Sequence, residues 1–148
     1  MTSRATRIER LRNIRERELS ELVQHLTAAR TRHSAAQNDA VLATRRLEEA
    51  RDAQRKLLTT GGNGLDFSQA EEWVYHQEVQ REIALNAVRR ADREVQRRQH
   101  DVRLGHRRLE QLKLLEQRLA ARAQSELRRK EQKQEDEIAS RIAYKGTR

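Results

Sequence analysis

The sequence predicts an all-α fold: two long, unequal helices packed as an antiparallel coiled-coil hairpin. Three observations carry that expectation. Apolar residues recur every three or four positions through two runs, about residues 6–58 and 68–143. Neither run, nor any other part of the 148-residue chain, contains proline. One glycine cluster, Gly61-Gly62-Asn63-Gly64, separates the runs. Heptads of this kind give each helix one apolar stripe, and a single flexible break lets the two stripes close on each other.

The first helix is expected to begin at Thr6-Arg-Ile-Glu9. A hydroxyl followed three residues later by a carboxylate is the spacing of a capping box, which satisfies the orphan amides of a first turn. Its seam reads Ile8, Leu11, Ile14, Leu19, Leu22, Leu26, Ala29, His33, Ala36, Ala40, Ala43, Leu47, Ala50 and Leu57. The middle of that seam is nearly all alanine. Small residues let two helices approach closely but bury little area, at roughly 25 cal/mol per Å², so the section from Ala29 to Ala43 is expected to be thin.

Thr59-Thr60-Gly-Gly-Asn-Gly ends the helix, because Gly and Asn tolerate the left-handed conformation of a helix C-terminus. The turn is expected over 59–67, and Ser68-Gln-Ala-Glu71 is a second capping box that opens the next helix. There Val88, Val95, Val102 and Leu109 recur every seven residues, with Ala84, Ala91, Arg98, Gly105 and Leu112 at the alternate positions and Leu119 continuing them. At 1.5 Å per residue the helices span about 80 and 115 Å. A turn near Asn63 sets Ile8 opposite roughly Arg118. Residues 123–143 then form an overhang without an internal partner, and its apolar Leu127, Ile138 and Ile142 predict that another protein completes the packing. The whole chain, 1–148, reads as one coiled-coil hairpin, monomeric or weakly self-associating.

Composition excludes several classes. With 35% hydrophobic and 37% charged residues, one Phe, one Trp and two Tyr, the chain cannot fill a thick globular core. There is no cysteine, which removes disulfides, thiolate nucleophiles and Cys-ligated metals. No stretch approaches a membrane span and the N-terminus lacks an apolar signal-peptide core, so a cytoplasmic location is expected. The glycine cluster has no following Lys-Ser/Thr and is a turn rather than a phosphate loop. His25, His33, His76, His100 and His106 contain no i,i+4 pair, and a two-helix rod offers no water-excluding cleft to tune carboxylates. No catalytic constellation, metal site or cofactor is expected, and the chain is read as a non-enzyme.

The net charge of +9 and a pI near 10.9 raise a nucleic-acid reading. Acids are interleaved, however, and aromatics are scarce. Arginines cluster at Arg4, Arg7, Arg10, Arg12, Arg15 and Arg17, beside the overhang, and again from Arg89 to Arg108. Either set can be a solvated helix face or a binding surface. Trp73, Tyr75, His76, Val79 and Ile83 gather most of the aromatic matter near the turn. Trp73 either pins the loop to the seam or belongs to a partner patch, since Trp and Tyr are enriched at interface hot spots.

Two unequal helices, a Gly-containing turn, the opening Trp73-Val74-Tyr75-His76-Gln77 and the ending Glu131-Gln132-Lys133-Gln134-Glu135-Asp136-Glu137-Ile138-Ala139 resemble the FliJ-type stalk proteins (the SctO or YscO group) of bacterial flagellar and type III secretion export. The resemblance covers the whole chain.

It implies a central stalk of the export ATPase, similar to the gamma subunit of F-type ATP synthases. The open end would enter a hexameric ATPase ring and promote its assembly and activity, and the tip would reach the cytoplasmic part of the membrane export gate. Some members also bind export chaperones. By position, the gate-contacting residues would be Val79, Ile83, Asn86 and Arg90, joined by Trp73 and Tyr75. The ATPase-binding residues at the open end would be Arg4, Arg7, Ile8, Arg10, Leu11, Arg12, Leu127, Arg128, Asp136, Glu137, Ile138 and Ile142. The rival expectation is a basic coiled coil that binds nucleic acid, or a scaffold or adaptor.

Overall fold

The computed structural model describes residues 3–146, with side chains from residue 4 onward. It contains two α-helices, α1 (Ser3–Thr60) and α2 (Gly64–Gly146), packed against each other as a helical hairpin, with no strand among the described residues. Among the described residues no helix is long and apolar enough to cross a membrane.

Both helices extend past the limits expected from the sequence, and the reason lies in which residues cap them. α1 already includes Thr6 and Glu9, and α2 already includes Ser68 and Glu71, so neither capping-box pattern marks a helix start. Asn63 caps α2 instead. Its side-chain oxygen accepts the Asp66 N–H at 2.9 Å, and the Asp66 carboxylate accepts the Asn63 N–H at 3.1 Å. This is the reciprocal pairing of a capping box made with Asn and Asp, and it sets a carboxylate in the first turn, where the helix dipole favours it.

At the other side of the turn Gly61 has φ 81°, and its N–H reaches the Leu57 carbonyl at 2.9 Å. A residue with a Cβ would be strained there. The Thr59 and Thr60 hydroxyls both donate to the Lys56 carbonyl at 2.8 Å. The link is therefore only residues 61–63.

Burial follows two seven-residue ladders on each helix. On α1 one ladder is Ile8, Arg15, Leu22, Ala29, Ala36, Ala43, Ala50 and Leu57, and the other is Arg12, Leu19, Leu26, His33, Ala40, Leu47 and Gln54. On α2 they are Phe67, Val74, Arg81, Val88, Val95, Val102, Leu109 and Glu116, and Ala70, Gln77, Ala84, Ala91, Arg98, Gly105, Leu112 and Leu119. One expectation is corrected. Leu11 and Ile14 are exposed, and Arg12 and Arg15 occupy the seam. Two successive three-residue steps from Ile8 each fall about 60° short of a full turn, so those apolar side chains drift off the stripe that alternating steps of four and three preserve.

The unit Ser20–Arg103 holds the tightest part of the seam. Leu47, at 2% exposure, packs with Ala50 and Val74 in a small core, and Ala29 is 1% exposed. Alanine permits this closeness because it adds so little bulk. Arginine and histidine of this seam find partners. Arg81 Nε donates to Thr44 Oγ1 at 3.2 Å, and that hydroxyl donates to the Ala40 carbonyl at 2.9 Å. His33 Nε2 lies 3.9 Å from Asp92.

In the unit Met1–Leu19 with Leu104–Arg148, Ile8 and Leu109 are buried. Arg12 Nη1 donates to Glu116 Oε2 at 2.9 Å inside the seam. Ile8, Leu119, Ala120 and Ala123 flank that ion pair, in the register that the short turn dictates. From Ala120 to Gly146 every residue is exposed.

Candidate functional site

Two surfaces remain after the seam has closed, one on the turn-proximal part of α2 and one on the C-terminal part of α2 with the start of α1.

On the turn-proximal surface Trp73 is not pinned into the seam. Val74 and Gln77 hold those positions, Gln77 at 5% exposure, whereas Trp73 is 55% exposed. Its indole stacks on His76 with ring centroids 5.6 Å apart and planes 27° apart. Trp73, His76, Gln80, Ile83 and Ala87 of α2 face Asp39, Leu42 and Arg46 of α1 across an open groove of about 740 Å³.

Tyr75 and Val79 are also exposed but lie outside that groove. Residues 75, 79, 86 and 90 share a stripe at steps of four, seven and four, on the side of α2 opposite its seam. Asn86 accepts a hydrogen bond from Arg89 Nη1 at 2.9 Å. Ile83, exposed and lining the groove, stands between groove and stripe. The expected tip residues thus form two adjoining surfaces that meet at Ile83. α1 adds Leu42 and Arg46, which the sequence reading did not single out. The available signal was Val41-Leu42, two large apolar residues off the heptad phase between seam residues Ala40 and Ala43.

The open-end residues separate into two groups. Ile8 and Arg12 belong to the seam, and Arg12 is engaged by Glu116 and, at 3.9 Å, by Glu16. Arg4, Arg7, Arg10 and Leu11 are exposed. On α2, Leu127, Arg128, Asp136, Glu137, Ile138 and Ile142 are all exposed. Leu127, Ile138 and Ile142, eleven and four residues apart, fall on one side of the helix. An apolar stripe of this kind on a helix without a partner is a surface for a second helix or a pocket.

The second arginine cluster divides as well. Arg89, Arg90, Arg93, Arg97, Arg103, Arg107 and Arg108 are exposed, while Arg98 is half-buried in the seam. Arg98 Nε donates to Glu94 at 2.8 Å, and Arg97 lies 3.0 Å from the same carboxylate. The hydrogen bond from Arg98 leads in holding Glu94 below the ordinary carboxylate range. Burial opposes it, and the charges of Arg97, Arg98 and Arg32 add to it. Among the described residues no cluster of three or more His, Cys, Asp or Glu has the arrangement of a metal site.

No curated protein and no solved structure matches the chain. A protein-family model, described as the flagellar FliJ protein, matches residues 4–148. That span takes in both helices, the turn and both candidate surfaces, and the chain belongs to the FliJ family.

Proposed function

We propose that this chain, a component of the flagellar export apparatus by its family, is the central stalk that couples a hexameric export ATPase to the export gate. The observation that carries the reading is the exposed stripe Leu127, Ile138 and Ile142 on a stretch of α2 without buried residues. Apolar side chains left in water gain most from a partner that covers them. The exposed Arg4, Arg7 and Arg10 supply charge that speeds encounter with acidic ring loops. In this reading the stripe and arginines dock inside the ring, together with Leu11, Arg128, Asp136 and Glu137. Ile8 and Arg12 act by holding the two helices together beneath that surface.

The tip surface, with Trp73, Tyr75, Val79, Ile83, Asn86 and Arg90, receives the cytoplasmic part of the gate. Export chaperones are further partners. The chain itself performs no chemistry, and its place is on the cytoplasmic side of the export apparatus.

Truncation after Arg122 tests the assignment. The full chain is expected to promote assembly and ATP hydrolysis of its cognate ATPase. The truncated chain is expected to lose that effect while keeping a cooperative unfolding transition. Equal promotion by both would overturn the role given to residues 123–143.

A further inference from the structure

We infer that the outer ridge of α2 formed by Arg89, Arg90, Arg93 and Arg97 is a docking site for an acidic helix of another protein. The four side chains recur at three- and four-residue spacing on the side opposite Val88, Ala91, Val95 and Arg98, the local seam. All four are exposed. Of the nearby acids, Asp92 and Glu94 flank the seam, and Glu82 lies on the ridge itself. Asp92 faces His33 and accepts a hydrogen bond from Gln96, and Glu94 is occupied by Arg98 and Arg97. Arg89 is shared between Asn86 and Glu82, at 2.9 and 3.8 Å. Among the described residues, no hydrogen bond or ion pair engages Arg90 or Arg93.

The back of α1 in the same unit is different. Thr27, Thr31, Ser34 and Asn38 lie there, uncharged, and the two threonine hydroxyls donate to their own helix at Val23 and Thr27. At this level of the hairpin positive charge is thus concentrated on one helix back; on α1 the same face regains an arginine only at Arg45. A +9 chain that merely needed solubility would gain as much from charge on both.

The chemistry of the occupant follows from geometry. Guanidinium groups bind carboxylates through two parallel hydrogen bonds, and the arginines repeat at the spacing at which a second helix presents its own side chains. A convex ridge without an aromatic residue lacks the stacking platforms of a single-strand binder. A second basic copy of the chain would meet repulsion. Ile83 and Val79, one to three turns toward the tip, offer apolar anchors for a helix laid along the same ridge. This site is separate from the C-terminal stripe assigned to the ATPase. It continues the surface given to the gate, shares Arg90, Val79 and Ile83 with it and rests on that reading, whereas Arg89, Arg93 and Arg97, the residues varied below, lie outside it.

The test uses the full chain and a synthetic helical peptide with Glu at every third or fourth position, beside a version carrying Gln instead. Binding is read by fluorescence anisotropy across a salt series. The Glu peptide is expected to bind. R89E/R93E/R97E should weaken it by at least about tenfold with helicity unchanged, and R30E/R45E, which reverses charge on α1, should bind as wild type does. The idea fails if the Gln peptide binds equally, or if both variants lose binding alike. It also fails if single-stranded DNA or anionic vesicles compete better than the Glu peptide, or if the ridge variant abolishes concentration-dependent self-association in sedimentation. None of these outcomes depends on the ATPase, so failure here leaves the stalk reading to its own experiment.

Discussion

The seams of the two units obey the same seven-residue ladders but are built from different chemistry. In Ser20–Arg103 the ladders bury Leu26, Ala29, Ala40, Ala43, Leu47, Ala50, Val74 and Gln77, with His33, Arg81 and Arg98 half-buried among them. In the unit of residues 1–19 and 104–148 they bury only Ile8 and Leu109, while Leu19, Leu112 and Leu119 stay half-buried beside Arg12, Arg15 and Glu116. Periodicity decides which residues face the partner helix, and residue size and charge decide how strongly they hold it. A seam stabilised by an ion pair gains little net free energy, since desolvation offsets the Coulomb attraction. The Arg12–Glu116 pair shows that offset in its geometry, because Arg12 Nε and Glu116 Oε1 are buried without a hydrogen-bond partner.

The largest expected effect is at Leu47. Leu47→Ala should cost about 2–4 kcal/mol in urea unfolding of the full chain, the usual range for a buried leucine. Leu119→Ala, at a half-buried position in the other unit, should cost about 1 kcal/mol. Equal losses would erase the contrast between the seams.

The ion pair comes next. Arg12→Ala, which strands Glu116, should cost about 1 kcal/mol at a site still partly open to water. Arg12→Leu with Glu116→Leu should match or exceed the wild-type stability. A double variant as unstable as the single one would make the pair a net contributor and close the gap between the two units from the other side.

The smallest effect concerns Glu94. Its folded-state pKa is depressed, chiefly by the hydrogen bond from Arg98. Its contribution is therefore present above the ordinary carboxylate value and is lost as pH falls through the depressed folded value. The stability difference between wild type and Glu94→Gln should shrink on acidification through that window. A difference that stays constant with pH would show that Glu94 acts by packing alone.

Much of this architecture was legible because it is periodic. The valine ladder fixed α2, Leu19 to Leu57 fixed most of α1, and the position of the glycines fixed the register that brings Ile8 beside Leu119. What escaped was decided by competition among neighbouring residues. Thr6 with Glu9 and Ser68 with Glu71 have capping spacing, but Asn63 with Asp66 makes the same reciprocal bonds closer to Gly61 and starts α2 earlier. Leu11 and Ile14 are more apolar than Arg12 and Arg15, yet the ladder's phase, set by the residues that follow, overrides side-chain preference. Trp73 could have entered the seam by size, but Val74 sits at the seam position. Leu42 was hidden because it lies off the ladders, and only packing against α2 reveals the groove it shares with Trp73 and Ile83. The one-sided placement of Arg89, Arg90, Arg93 and Arg97 was likewise invisible to a count of charges.

The claim at the centre of this account is that the two exposed surfaces serve different partners, with the C-terminal stripe taken by the ring ATPase and the turn-proximal surface left for the gate. A photo-cross-linking residue placed at Ile138 in one variant and at Ile83 in another tests this in a mixture with the ATPase alone. A cross-linked product is expected from Ile138 and none from Ile83. A product from Ile83, with none from Ile138, would contradict it.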